Sequence, residues 1–442
     1  MQTASKKIIN GWAMYDWANS VYNLVITTTF FPIYYTEMTK VSPFNGKVHF
    51  FGRTFVNTAL YNYALAFTYL VVAIVLPILS SIADYKGNKK RFMQVFCLLG
   101  SLACSGLYFF TPQYFDFGII CMMLAAFGFY GSLVFYNSYL PEIAAEKDRD
   151  RVSAKGFSYG YIGSVLMQLV GFGLVVFWER IPFLHSEGDA VRWTFLLVGI
   201  WWFGFAQITF NCLPESIPSE NYREKKNFIT GGFIELKKVF LQMLRMAVLK
   251  RFLFAFFFYN MGVQTVMLAA TIFGSKVLNL PSTILIMTVV AIQLVAIGGA
   301  YMVSKLSETF GNLQTLIGVV IFWIAICVGG YYMQTKYHFY ILAVAVGLVM
   351  GGIQSLSRST YSKLMPVTND TASFFSFYDV TEKIAIVIGL SAFGYIEEAT
   401  GTMRDSVLSL VVFFTIGLIG LISSLHRQLK ETRMYSVKKN HS

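Results

Sequence analysis

Long apolar stretches alternate with short polar ones along nearly the whole chain. Twelve of these stretches are long enough to cross a bilayer, at about 10–36, 57–83, 92–111, 116–140, 156–178, 192–212, 251–273, 284–303, 315–334, 338–364, 374–397 and 406–425. The polar segments carry a repeat. Ser80, Asp84, Gly87 and Asn88 follow the second stretch, and Ser304, Glu308, Gly311 and Asn312 follow the eighth with the same spacing. Further matches keep the same order. Tyr15-Asp16-Trp17-Ala18 corresponds to Tyr259-Asn260-Met261-Gly262. Tyr136 stands five residues before Pro141, as Tyr361 does before Pro366, and Phe157-Ser158-Tyr159 corresponds to Phe375-Ser376-Phe377. The pattern predicts an all-α membrane protein of twelve transmembrane helices in two six-helix repeats, the plan of a carrier. The expected division is an N-terminal bundle over 1–212, a linker over 213–250, a C-terminal bundle over 251–425 and a tail over 426–442.

The linker changes character along its length. Its first part is charged, with Glu220, Arg223, Glu224, Lys225 and Lys226. From Phe233, the apolar residues Leu236, Phe240, Met243, Leu244 and Ala247 share one helical face. This predicts a basic amphipathic helix lying on the membrane surface and strapping the two halves together.

Composition excludes a soluble protein. The chain is 56% hydrophobic and 13% charged over 442 residues, too apolar to leave a water-facing exterior. The net charge of +12 encodes topology rather than an affinity for nucleic acid. Of the Lys and Arg residues, 26 fall in the segments on the side of the N-terminus and 8 in the opposite ones, with Lys383 inside a span. By the positive-inside rule both termini are then cytoplasmic. The first apolar stretch runs beyond twenty residues with no small-residue cleavage site after it, which argues against a cleavable signal peptide. The five cysteines lie in or at the ends of spans and read as packing residues. Gly128, Gly131, Gly298, Gly299, Gly351 and Gly352 read as sites of close helix approach. With no phosphate-binding loop, metal-ligand cluster or nucleophile triad in the sequence, neither enzyme chemistry nor a cofactor or metal is expected.

Charges inside spans are the candidate chemistry. Asp16 sits more than a turn inside the first span, and Arg358 about two turns before Pro366 in the tenth. Either costs on the order of 3 kcal/mol at such depth unless it faces water or a partner. Arg358 has three open roles. It pairs with Asp379 or Asp16 as a gate, grips a substrate carboxylate through its fork, or forms a permanent interhelical ion pair. Asp379, Glu382 and Lys383 open the eleventh span, with Asp379 and Lys383 one turn apart and positioned to neutralise each other. At the repeated hairpin, Asp84 and Glu308 are placed to pair with a neighbouring helix N-terminus or an Arg, latching one conformation.

The hairpin resembles the signature loop of the major facilitator superfamily, Gly-x-x-x-Asp-x-x-Gly followed by basic residues, with Ser80 in place of the first Gly and Asn88 in place of the usual Arg. More specific are Tyr15-Asp16-Trp17-Ala18-Asn19, Leu140-Pro141-Glu142, Gln354-Ser355-Leu356-Ser357-Arg358-Ser359 and Phe374-Phe375-Ser376-Phe377-Tyr378-Asp379. With these runs, the chain from about 8 to 425 resembles the vacuole-effluxer branch of that superfamily, which includes an amino-acid exporter of fungal vacuoles and many bacterial relatives. It departs from the family at Met261, where members tend to carry Asp. The resemblance implies a central cavity lined chiefly by spans one, four, seven and ten. It makes Tyr15, Asn19, Asn23, Asn260, Gln264, Gln354 and Arg358 the expected substrate contacts, with Asp16, Asp84, Glu308, Asp379 and Glu382 as proton-coupling or gating groups.

The expected function is secondary active transport of a small polar solute, an amino acid or similar, by alternating access, with Asp16 as the candidate proton carrier. Alternatives are a sugar or peptide permease, a drug exporter, a lipid scramblase or a non-transporting sensor. A monomer in a bacterial inner membrane is expected, with a small-molecule substrate and the bilayer as partners, or a vacuolar membrane if the source is eukaryotic.

Overall fold

The computed structural model describes residues 2–218 and 228–440. Among these described residues, twelve helical segments make up the two bundles, six on either side of a linker helix. The first, α1, runs Lys6–Val21, passes through a π-helical stretch Tyr22–Phe30 and resumes as Phe31–Lys40. It is followed by α2 Asn57–Lys86, α3 Lys89–Gly106, α4 Phe115–Ser138, α5 Arg149–Val176 and α6 Glu187–Cys212. The second half comprises α7 Ala247–Leu278, α8 Ser282–Phe310, α9 Asn312–Tyr331, α10 Lys336–Leu364, α11 Thr371–Thr400 and α12 Met403–Asn440. Eight of the predicted spans fall inside these helices; those at 92–111, 116–140, 156–178 and 315–334 run past the ends of α3, α4, α5 and α9, and α12 continues well past the expected end of its span. A short antiparallel hairpin, β1 Lys47–Phe50 with β2 Arg53–Val56, links α1 to α2 and was not foreseen. Its two residues at positive φ, Phe51 and Gly52, turn the chain between the strands.

Ten helices among the described residues are long and apolar enough to span a membrane on composition alone. The two that fall short in unbroken length or apolarity are α1 and α11. These are the helices that bring Asp16, Asn19 and Asn23, and Asp379, Glu382 and Lys383, inside the bundle.

The repeat is visible in how the helices pair. In the first half α1 packs on α5 and α6, α3 on α4 and α6, and α2 on α4. In the second half α7 packs on α11 and α12, α9 on α10 and α12, and α8 on α10. Between the halves, α2 meets α11, and α5 meets α8 and α10. Small residues set several of these crossings, as expected where lipid supplies no hydrophobic drive between helices. A Cβ on Gly128 would come within 2.5 Å of the Gly100 backbone nitrogen, and one on Gly351 within 2.5 Å of the Ala296 carbonyl oxygen. Gly298, expected to be another contact, instead faces open space.

The π-helical stretch in α1 has a local cause. Pro32 cannot donate to the preceding turn, and the hydroxyls of Thr28 and Thr29 both donate to the Leu24 carbonyl, at 2.7 and 2.9 Å. The widened turn lies beside the central cavity.

The linker helix, Phe228–Arg245, is present but sits differently from its expected pose. Glu235, Val239 and Met243 form its buried stripe, while Phe240 and Leu244 are exposed alongside Phe233 and Leu241. Gly231 and Gly232 let it press on Tyr85 and Ile82 of α2, where Ser81 donates to the Gly232 carbonyl at 2.8 Å. Lys238 then bridges Glu235 (2.6 Å) and Asp370 (3.0 Å), the residue before α11. Partial burial opposes the charge of Lys238, but the two carboxylates outweigh it and hold the ammonium pKa above its usual value. The strap is therefore docked against protein on one face and apolar on the other. The charged part from Glu220 to Lys226 lies outside the described residues.

Replacing Gly128 with Val should destabilise the detergent-purified protein by about 1–3 kcal/mol through overpacking of the α3–α4 crossing. Gly298→Ala, at a glycine that touches nothing, should leave the melting temperature unchanged. Equal melting of the two variants would contradict this packing.

Candidate functional site

The halves are joined most tightly at the end of the bundle where both termini lie. Arg358 of α10 extends into the other half, and all of its polar partners are there. Its Nε donates to Ser153 Oγ at 2.9 Å and Nη2 to the Ser153 carbonyl at 2.8 Å, while Nη1 donates to Asp16 Oδ2 at 3.3 Å and Asn137 Oδ1 at 3.1 Å. The guanidinium also lies over the rings of Phe157 (4.3 Å), Trp12 (4.9 Å) and Tyr136 (5.4 Å). Tyr136 donates its hydroxyl to the same Asp16 oxygen at 2.7 Å. Gly156 leaves the space for this meeting, since a Cβ there would stand 2.6 Å from Asp16 Oδ2 and 2.9 Å from Arg358 Nη2. Of the pairings open to Arg358, the one formed is with Asp16, not Asp379. With each guanidinium nitrogen engaged, it offers no free fork to a substrate carboxylate in this conformation.

Two further polar junctions surround this pair. Asp84 lies at the start of α11 and accepts from the backbone nitrogens of Ala372 (3.3 Å) and Ser373 (2.6 Å) and from the Ser373 hydroxyl (2.7 Å). An anion at a helix N-terminus satisfies otherwise unpaired amides and complements the dipole. Lys89, buried beside it, donates to Glu142 and, at 2.8 Å, to Thr371. The second hairpin copy departs from the expected arrangement. Glu308 is exposed on α8, turned away from the junction. Its place is taken by Asp150 at the start of α5, which accepts from Ser307 (2.8 Å), Asn312 (2.8 Å) and Lys363 (2.6 Å). The acid has changed chain position while the junction between α8 and α5 persists.

Beyond Arg358 and Asp16 the halves part around a cavity with about 150 Å³ of water-accessible space. Since one water needs roughly 10–15 Å³ in this measure, the space holds on the order of ten waters or one small solute. Asp16, Asn19, Asn23, Asn260, Gln264, Gln354, Arg358 and Glu382 all line it. A further space lined by Thr27, Pro32, Ile272 and Gln293 shares Leu24, Thr28, Met267 and Met350 with the first, and leads toward the end away from the termini. Tyr15 does not line the cavity. It is fully buried behind α1, its ring 5.3 Å from that of Tyr136 and 6.0 Å from that of Phe210. Asp379 is likewise off the wall, held 3.2 Å from Lys383. Met261 packs against Gly389 of α11, so the missing family carboxylate would not have faced the cavity in this conformation.

Sequence reasoning missed several lining groups. Lys383, buried at mid-helix, reaches Glu382 Oε2 at 2.7 Å and lies 4.2 Å over the Tyr130 ring. Tyr161 donates to Gln354 Oε1 at 2.9 Å. Their signal was weak because tyrosines are common in this chain and Lys383 read as the neutralising partner of Asp379.

A family model described as "Vacuole effluxer Atg22 like" matches residues 4–432. The chain belongs to the vacuole effluxer Atg22-like family. Among its relatives, an uncharacterized MFS-type transporter of Bacillus subtilis, YxiO, is 32% identical over 93% of both chains. Autophagy-related protein 22 of Kluyveromyces lactis is 25% identical over 94% of this chain and 92% of its own. Among solved structures, the major facilitator transporter FucP in its outward conformation superposes with a TM-score of 0.71 at 13% identity, covering 95% of this chain and 98% of that one. The human organic anion transporter MFSD10 gives 0.70 at 10% identity, covering 94% and 98%. This Atg22-like protein is thus a membrane transporter of the major facilitator type, and the resemblance read from its motifs holds.

Arg358→Ala should leave Asp16 buried without its cation and destabilise the purified protein by about 3–5 kcal/mol, measured by denaturant titration in mixed micelles. Arg358→Lys, which keeps the charge but loses the fork, should fall between. A loss below ~0.5 kcal/mol for the alanine variant would show that the ion pair joins nothing.

Proposed function

We propose that this Atg22-like transporter moves a small polar solute of the amino-acid type across its membrane by alternating access between the two six-helix halves. One observation carries the reading. A cavity lined by carboxamides from both halves ends, on the side of the termini, at an ion pair whose two members come from different halves. Such a pair can hold only while that end is closed, so opening there requires Arg358 to leave Asp16. The adjoining space, mostly apolar but with Thr27, Thr28 and Gln293 on its wall, leads toward the opposite end, as suits an outward-facing resting state.

Asp16 fits the role of a coupling group. With Arg358 docked, Asp16 Oδ2 is neutralised by the guanidinium and accepts from Tyr136; when Arg358 withdraws, the acid loses its cation beside water, where a proton is the simplest replacement. The 26 cationic residues on one side against 8 on the other support cytoplasmic termini, in a bacterial inner membrane or, in a eukaryotic source, a vacuolar one. The description of the matching family as vacuole effluxers favours efflux. A drug exporter would be expected to offer a more apolar cavity than this carboxamide-rich one.

Reconstituted vesicles loaded with an amino-acid mixture should exchange labelled amino acids, with a rate that responds to an imposed pH gradient. Asp16→Asn should retain exchange at equilibrium while losing the pH-gradient response. Exchange unchanged by the gradient in the wild type would remove the proton from the mechanism. Exchange of sugars but not amino acids would transfer the protein to the permease alternative.

A further inference from the structure

The charged groups that a solute would meet in the cavity differ from those that sequence depth alone suggests. Arg358, Asp16, Asp379 and Lys383 keep side-chain exposures of 3, 7, 3 and 1%. Glu382 keeps 23% and is the one charged cavity-lining side chain among the described residues that presents an open carboxylate. Its oxygens each take one donor, Gln264 on Oε1 at 3.0 Å and Lys383 on Oε2 at 2.7 Å, leaving a further lone pair on each. Lys383 is shared with Asp379, so two acids face one ammonium and the local balance is negative.

A second observation points to a ligand. Both the nitrogen and the oxygen of the Asn19 carboxamide, and the Asn260 nitrogen, are buried against the cavity without a hydrogen-bond partner. Asn19 is fully buried and Asn260 is 4% exposed. Buried carboxamide groups left unpaired are costly, and these lie on α1 and α7, across the same space from one another's half. Tyr69, Tyr130 and Tyr378 line the space around Glu382, and an aromatic wall favours a cation further.

Resting on the transporter reading, we infer that Glu382 is the subsite for a substrate ammonium group, with Asn19 and Asn260 binding the adjacent carbonyl or carboxylate oxygens. The solute is therefore a primary amine or an α-amino acid, and anions without an amine are rejected. Glu382 is a substrate ligand on this assignment rather than a gate. Arg358, sealed by its own partners, serves closure and not substrate recognition.

The test uses the full-length protein in detergent, with thermal-shift and calorimetric titration. The probes are the twenty amino acids, the N-acetyl form of each hit and the amine lacking its carboxylate. The assignment predicts that acetylation, which removes the positive charge, weakens binding on the order of tenfold to hundredfold, the worth of one charge-assisted hydrogen bond. The decarboxylated amine should still bind. Glu382→Gln should lower affinity for the amino acid by a similar factor, while Glu382→Asp restores part of it. Because the comparison of probes is made on the wild type, it stands even if Glu382→Gln fails to fold. Equal binding of the acetylated and free forms would overturn the ammonium subsite while leaving the carrier reading intact. If no probe bound and none were carried by vesicles, the amino-acid reading itself would fall along with it.

Discussion

A guanidinium two turns inside a membrane-spanning helix has to be solvated by protein, because lipid cannot do it. That constraint organises this molecule. Arg358 cannot satisfy its donors within its own half, so it binds the Ser153, Asn137 and Asp16 oxygens of the opposite half. Closing the end near the termini is then the same event as solvating this charge. The surrounding junctions follow the same logic with weaker terms. Asp84 accepts from the amides that begin α11, and Asp150 holds the hydroxyl, carboxamide and ammonium brought by α8, α9 and α10. Each is a charge of one half solvated by donors of the other.

The two copies of the hairpin show what duplication preserves and what it lets drift. In the first copy the helix-borne acid Asp84 does the work. In the second the acid at the matching position, Glu308, faces outward and the neighbouring helix provides Asp150 instead. The geometric need, a carboxylate between α8 and α5, is met from either side, so the motif marks the junction more faithfully than it marks the functional residue. The strap adds a third tie, since Lys238 holds Asp370 just ahead of α11 while its helix presses on α2. Under the proposed cycle, α11 would have to leave both Asp84 and the strap when the closed end opens.

Much of this was legible in the sequence. Ten of the twelve spans stand out by apolar length alone, α1 and α11 being interrupted by polar groups, and Asp16 and Arg358 stood out because charges at that depth are expensive. The carboxamides at one-turn spacing, Asn19 with Asn23 and Asn260 with Gln264, pointed to one shared space because a helix face is fixed by periodicity. Three features were not legible. Tyr15 belongs to the right motif but on the far side of α1, which depends on helix rotation and not on spacing. The buried face of the strap contains Glu235, which an apolar-stripe reading assigns to solvent. Lys383 looked like a neutralising partner, and only the fold reveals that it also lies across the Tyr130 ring of the other half.

The central claim is that the Arg358–Asp16 pair holds the halves together at the end bearing the termini. Spin labels at the exposed positions Arg91 on α3 and Lys305 on α8 would report the separation of the halves there by electron–electron distance measurement. The account predicts a single short distance for the wild type and an added longer population for Arg358→Ala in well-folded protein. Indistinguishable distance distributions for the two would contradict it.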